Sequence, residues 1–511
     1  MSNSSTTYDA VVIGSGLGGL VSAAILSKEG WRVCVLEKNE QIGGSLQTFR
    51  RDGVLFDTGV HYIGGLEPGE NLYQIFNYLG IMDRLQLKRM DEMGFDVILF
   101  GNDDEQYPYG MGYKNFVDVL SEKFPDDVDA IKQYAADMRN ICNNFPLYNL
   151  KASGEYQEKW VFTTGIVEYL QKLTTNQKLQ HVLAGNNLVY AGVPAKTPVY
   201  VHALVVNSYI ESSNKCTEGG DQIAKLLARV IKENGGDIFR KAEVKSINVE
   251  EGVAQSVTTA NGNIYYGRYF ISNAHPVRTM QITDTTAIRS VYRNRLKSLE
   301  NSIAAFVVYM VLKPQTYKYT NRNYYYFDEV DAWRCNEYTE EIWPYTYALF
   351  EGESDKHPGY AESATVITYM RFDDVKEWAE TYNTRFDENS RGESYNEFKK
   401  RKEDKLMETV YRKFPHLKDC IASTYTSTPL TYRDYIGSDD GSMYGILKDF
   451  NDPIKSMVAP KTKVDNLLLT GQNINLHGVL GVTVSAVITC SMILGREYLI
   501  GKILKANEAT V

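Results

Sequence analysis

The chain has no CxxC pair. Its six cysteines (Cys34, Cys142, Cys216, Cys335, Cys420 and Cys490) stand singly along the sequence. That spacing excludes a zinc ribbon and a disulfide framework, and it reads as buried, reduced thiols. No His, Asp or Glu cluster has metal-ligand spacing either, so no metal is expected. An unbroken apolar run of the ~18 to 20 residues that a membrane span needs is also missing. The longest candidate, Val479–Leu494, is interrupted by Thr483, Ser485, Thr489 and Ser491, and reads as a buried helix. Positive charge is not in excess: 55 Lys and Arg face 64 Asp and Glu, a formal net charge of -9. A nucleic-acid partner wants a concentrated basic face, so none is expected. Met1–Tyr8 has neither the basic nor the apolar stretch of a signal peptide. A cytoplasmic protein, at most peripheral to a membrane, is the expectation.

What is present begins with bulk. The 511 residues, 43% apolar and 23% charged, suit a folded protein of two or three domains. Tyr8–Ile13 is a compact apolar run, the mark of a buried parallel strand. Leu17–Glu29 has helical period, Gly30 ends it, and Trp31–Leu36 is a second buried strand. Strand, helix and strand in about thirty residues make a βαβ unit. Between the first strand and the helix lies Gly14-Ser15-Gly16-Leu17-Gly18-Gly19, which satisfies G-x-G-x-x-G where the mechanism requires it. Gly14 permits the tight turn, Gly16 lets backbone approach a diphosphate, and Gly19 allows close helix–strand packing. The helix N-terminus then offers free N–H groups to the anion. Glu37 closes the second strand, where its carboxylate suits a ribose 2'-hydroxyl and would repel a 2'-phosphate. The turn therefore fits FAD or NAD, and fits NADP poorly.

The rest of the chain divides by pattern. Residues 72–214 are mostly helical in period, with loops around Gly101–Gly112 and Gly192–Pro198. Asp221–Asn234 is an amphipathic helix, followed by a small meander over Glu243–Val249, Gly252–Thr259 and Arg268–Ser272. Ile303–Leu312, Tyr345–Phe350 and Ala364–Phe372 read as an antiparallel sheet, with a charged helix around Ser394–Phe414. Asn466–Leu469 is a strand and Gly481–Leu494 the final helix. The expected class is α/β: a discontinuous Rossmann-type dinucleotide domain from 1–71, 215–279 and 461–511. Segments 72–214 (helical) and 280–460 (sheet and helix) form an α+β substrate domain.

After Glu37-Lys38-Asn39 come Gly43-Gly44-Ser45 and FDTGVHYIGG at Phe56–Gly65. These stretches resemble the flavoprotein superfamily of phytoene desaturases, carotenoid isomerases and amine oxidases, most of all its retinol saturase branch. The resemblance resumes at Ile271–Pro276, Ser427–Thr431, Tyr444-Gly445 and from Thr470-Gly471-Gln472 through Gly478 and Gly481 to Leu494–Arg496. It implies FAD. It also implies that Ser15, Gly18 and Gly19 share the diphosphate turn, that Lys38 lies beside the ribose site, and that Val244 meets adenine through its backbone. Gly59, Val60 and His61 would lie beside the isoalloxazine, Gly471 and Gln472 at the ribityl phosphate, and Gly481 and Val482 where a helix N-terminus faces flavin O2. An arginine often follows the Gly-Gly pair in the superfamily; here Gly44 is followed by Ser45, which removes one phosphate contact.

His61 is the favoured active-site histidine, set against a structural histidine in a tight loop. His477 suits packing or ribityl contact, and His181 and His202 read as core or surface residues of helices. Tyr324–Tyr326 reads as a half-buried strand. Lys399–Lys402 reads as a solvated helix face, with a membrane-docking patch as the sharper alternative. The resemblance implies an FAD-dependent oxidoreductase on carbon–carbon double bonds of a hydrophobic polyene, saturation being favoured over desaturation or reduced-flavin isomerisation. A flavin amine oxidase and a flavin-free lipid escort of the GDP-dissociation-inhibitor type are the competing readings. No second G-x-G-x-x-G is present, so either NAD(P)H acts as reductant without that fingerprint or electrons arrive from another protein.

Overall fold

The computed structural model describes residues 7–152, 154, 158–384 and 390–508; the Met1–Thr6 part of the leader reading lies outside them. The first 36 residues contain strand β1 (Thr7–Ile13), helix α1 (Leu17–Lys28) and strand β2 (Val33–Leu36). Every residue of α1 from Leu17 to Ser27 is buried, as the sequence LGGLVSAAILS, free of charge and with only two serines among apolar residues, demands. α1 packs with helices Asp221–Glu233 and Gly478–Leu494 in one core with Leu20, Ile25, Ile223, Leu227 and Val484. Full burial of each such side chain stabilises by about 1.5 to 3 kcal/mol.

Five parallel strands form the nucleotide-type sheet: Asp237–Phe239, β2, β1, Ile264–Ser272 and Leu467–Leu469, in that order. Their register aligns the carboxyl ends, because Phe239 pairs with Leu36, Leu36 with Ile13, Ile13 with Ser272 and Ser272 with Leu469. Val244–Glu250 and Val253–Thr259 extend the sheet as the expected antiparallel meander.

The second sheet has seven strands in the order Ile421–Ser427, Ala304–Leu312, Ala361–Met370, Thr346–Glu353, Asn323–Phe327, Asp96–Phe100 and Gln106–Tyr109. Ala304–Leu312 shows how it is placed. Its even-numbered residues Phe306, Val308 and Met310 share a core with the long helix Glu393–Lys413, and its odd-numbered residues Val307, Tyr309 and Val311 pack toward Phe56 of the FDTG stretch. Period-two alternation thus clamps this sheet between a helix and the dinucleotide half.

Four expectations need correcting. The stretch 72–214 supplies the strands Asp96–Phe100 and Gln106–Tyr109, because the six residues between Gly94 and Gly101, apolar but for Asp96, are few enough to lie in a sheet. Tyr324–Tyr326 is buried on both faces, between two cores. Lys402 is 1% exposed and donates to Glu340 above the Trp343 ring, so only part of the basic run is solvated. The last helix is Arg496–Glu508, since Gly495 interrupts rather than ends the C-terminal helical stretch. Among the described residues no helix is long and apolar enough to cross a membrane.

Candidate functional site

Because the parallel strands end in register, the residues that follow them come together. Gly14 follows β1, Glu37 follows β2, Asn273 follows Ser272, and Thr470-Gly471 follow Leu469. Ligands of open α/β sheets bind at this edge. Gly14 has φ of +92°, a conformation that favours glycine. A Cβ on Gly16 would stand 2.6 Å from Asn273 Nδ2, and one on Gly18 would stand 2.6 Å from Asn273 Oδ1 and 2.8 Å from Gly471 Cα. A Cβ on Gly19 would meet the Gly14 carbonyl at 2.1 Å. Backbone contacts thus require Gly18 and Gly19, and the contacts at Gly16 and Gly18 come from segments more than 250 positions downstream.

Gly16 is the N-cap of α1, with no side chain capping it. Among the described residues no side chain caps this helix and no acceptor meets the N–H groups of Gly18 and Gly19, which leaves a helix N-terminus open to an anion. The Gly43-Gly44 turn lies across it: Gly43 bridges Gly16, and a Cβ on Gly44 would touch Gly16 Cα at 3.1 Å. Glu37, 5% exposed, accepts from the Ser15 N–H at 3.0 Å and hydroxyl at 2.5 Å through Oε2, and from the Asn39 N–H at 2.8 Å through Oε1. A carboxylate has about four acceptor positions, so one remains for a sugar hydroxyl. The Ala242 N–H donates to the Glu37 carbonyl at 2.8 Å, which brings Val244 close to the same edge. These features fit the adenosine diphosphate end of FAD.

The Lys38 ammonium donates to the Asp434 carbonyl at 2.8 Å, tying the helix Pro429–Ile436 to this half, and burial lowers its pKa. With Gly44, Ser45, Thr58, Tyr309 and Tyr432 it lines a cleft of about 1110 Å³.

The motif Gly59–His61 runs on from there. A Cβ on Gly59 would meet the Ser45 carbonyl at 3.0 Å, and Val60 sits against Gly220. Asp57 accepts from the Gly220 N–H at 2.6 Å, and burial pushes its pKa up to about 7. His61 stacks on Phe350 at 4.3 Å, and its Nε2 is buried without a partner among the described residues. Burial, with Lys215 nearby, holds the His61 pKa down at about 3, so the ring is neutral at ordinary pH.

Gly471 has φ of +96°, and Gln472 lies against Gly445. The following helix begins at Gly478, earlier than its sequence pattern suggests, after His477 as N-cap without a side-chain cap. Its free first-turn N–H groups are therefore those of Gly478, Val479 and Leu480. Val482 lies in the second turn, inside the helical ladder. Gly481 is needed because a Cβ there would stand 2.6 Å from Leu476 Cβ. A cavity of about 260 Å³ opens at this helix start, lined by Tyr62, Leu204, Tyr209, His477, Leu480 and Val484 among others. Burial lowers the His477 pKa to about 4, and its Nε2 has no partner. His202 is a core residue between the hydroxyls of Tyr134 and Tyr190, at 2.7 and 2.8 Å, and His181 Nδ1 accepts from the Ala332 N–H.

Pattern reading passed over Asp96 and Tyr209, and gave no site role to Tyr62, Tyr325 and Asn273 although it quoted the stretches that hold them. Asp96 opens a strand that could have been found from the apolar residues after it; Tyr209 and Tyr325 carry no local signal. Among the described residues no group of His, Cys, Asp and Glu could hold a metal ion.

The NAD(P)-binding Rossmann-like domain family matches residues 12–79. The all-trans-retinol 13,14-reductase of Rattus norvegicus is 28% identical over 96% of this chain and 86% of its own length. Prolycopene isomerase 1, chloroplastic, of an Oncidium hybrid cultivar is 26% identical over 94% and 82%. The solved structure of an oxidoreductase from Methanosarcina mazei superposes with a TM-score of 0.63 at 16% identity, over 93% of this chain and 98% of that one, a likeness of fold. With the glycine turn and the sheet order, the chain is similar along nearly its whole length to the retinol saturase-like reductases and the carotenoid isomerases.

Proposed function

We propose that this chain is an FAD-dependent oxidoreductase acting on carbon–carbon double bonds of a hydrophobic polyene, in the direction of saturation. The observation that carries the reading is the convergence of Gly16, Gly18, Asn273 and Gly471 beside Glu37, with an apolar cavity at the start of the Gly478–Leu494 helix. In this reading 1–71, 215–279 and 461–511 form the FAD-binding domain. The first turn of α1 holds the diphosphate, Glu37 the ribose and the Val244 backbone the adenine. Gly44, Ser45, Gly471 and Gln472 border the ribityl phosphate, and Gly59 to His61 border the ring. The open N–H groups at Gly478–Leu480 face the pyrimidine edge, where a helix N-terminus stabilises negative charge on a reduced flavin.

Bound FAD supplies hydride transfer; the protein supplies placement, exclusion of water and the proton. The low pKa of His61 removes its imidazolium as the acid, so its part is to pack against Phe350 and shape the site. The reductant is NAD(P)H bound without a glycine fingerprint, or an electron-donor protein.

Isomerisation is the second reading, favoured by the similarity to prolycopene isomerase along 94% of the chain. Anaerobic incubation of the reduced protein with a panel of polyenes, followed by mass analysis, separates the two. Gain of two hydrogens supports saturation, whereas unchanged mass with a new retention time supports isomerisation. Reduction of the bound flavin by amines, with polyenes inert, would overturn both.

A further inference from the structure

A polar cluster lies behind the cavity at the Gly478 helix. Tyr62, which lines that cavity, donates its hydroxyl proton to Asp96 Oδ2 at 2.9 Å and meets the Tyr325 hydroxyl at 2.7 Å. Asp96 is 0% exposed, and its other oxygen accepts from Asn323 Nδ2 at 2.9 Å. Tyr209, also on the cavity wall, stacks on the Tyr62 ring at 4.4 Å.

A cluster serving structure alone is expected to be satisfied, since each buried unpaired polar atom costs about 1 to 3 kcal/mol. Here Asn323 Oδ1 is buried without a partner among the described residues, and the Asn186 side chain reaches toward Asp96. The charged and titratable groups that face Asp96 are Tyr62, Tyr109, Tyr209, Tyr325 and Lys215, the last of which donates to the Glu351 carbonyl at 3.1 Å. Burial pushes the Asp96 pKa up to about 7, despite the hydrogen bonds and Lys215 that pull it down. Burial thus favours the protonated form of the Asp96 carboxyl, which one hydrogen bond joins to the Tyr62 side of the cavity wall.

We propose that Tyr62 is the proton-donating residue of the double-bond chemistry and that Asp96 is the positioning residue that recharges it. The inference rests on the polyene reading. In the saturating direction one alkene carbon takes a hydride from the reduced flavin, which is thereby oxidised. The π pair moves to the other carbon, which takes the Tyr62 hydroxyl proton. The phenolate regains a proton from the Asp96 carboxylic acid, and the carboxylate regains one from solvent. The substrate gains two hydrogens, one as hydride and one as proton. Tyr325 holds the Tyr62 hydroxyl in place from the other side.

The test uses the full chain with Tyr62→Phe, Asp96→Asn and Tyr325→Phe, all near-isosteric. Loss of a general acid costs about 100-fold or more in rate. Y62F is expected to lose that much in formation of the saturated product while polyene binding and flavin content hold. In D2O the wild type is expected to place one deuterium on the carbon that does not receive hydride. D96N should flatten the alkaline limb of the pH profile. Independently of turnover, infrared difference spectra of the cofactor-free chain should show protonated carboxyl absorption that fades with a midpoint near pH 7, shared with Asp57 and Glu211, and D96N should lack the Asp96 share of it. A wild type that saturates no polyene removes the underlying reading. A wild type that saturates polyenes no faster than Y62F overturns the relay alone, and so does a carboxyl band unchanged in D96N.

Discussion

The Glu37 carboxylate accepts from both the N–H and the hydroxyl of Ser15, at 3.0 and 2.5 Å. One acid thus fixes the second residue of the glycine turn and fills most of its own acceptor capacity before any ribose arrives. Glu37→Gln keeps the shape but loses the charge-assisted bonds, each of which contributes about 1.5 to 3 kcal/mol. FAD affinity, measured by quenching of flavin fluorescence on titration of the stripped chain, is expected to fall at least about tenfold with the fold intact. An unchanged affinity would place the ribose elsewhere.

The histidine nearest the motif should be silent in the pH profile. His61 has its pKa held at about 3 by burial and by Lys215, so it carries no charge change between pH 5 and 8. His61→Gln is expected to lower the rate through lost stacking on Phe350 while leaving the positions of both limbs of the profile unchanged. Loss of a limb near pH 6.5 in that variant would restore His61 as an acid–base group.

Asp96 should make stability depend on pH. Its folded pKa, about 7, lies above the ordinary aspartate value. Its contribution is therefore fully present below pH ~4 and is lost as pH rises through about 7. Each unit is worth about 1.4 kcal/mol, so urea denaturation at pH 5 and pH 7.5 should show the wild type losing roughly 2 to 3 kcal/mol relative to D96N. Parallel curves for the two proteins would show that Asp96 titrates normally.

Much of the dinucleotide half can be read along the chain, because its signals are local: a buried strand, a glycine turn, a helix and an acid within 37 residues. The meander and the apolar strands at Ala304–Leu312, Thr346–Glu353 and Ala361–Met370 were visible for the same reason. What stayed hidden depends on pairing across distance. Tyr62 acquires its meaning from Asp96 and from Tyr325, 34 and 263 positions away in sequence. Asn273 matters only because the sheet order sets Ser272 beside Ile13 and Leu469. The start of the Gly478 helix was misplaced because Gly478 and Gly481 break the apolar period, whereas Leu476 packing on Gly481 fixes the turn in space.

The account stands on a diphosphate seated against the first turn of α1, and Gly18 tests it most directly. A side chain there meets Gly471 Cα at 2.8 Å and Asn273 Oδ1 at 2.6 Å, on the edge where the cofactor must lie. FAD binding to the stripped wild type and to Gly18→Val, measured by calorimetry alongside thermal melts of both, is the decisive comparison. The expected result is one FAD per wild-type chain and no measurable binding by the variant, with cooperative unfolding retained. Equal FAD binding by both proteins, or none by a folded wild type, would contradict it.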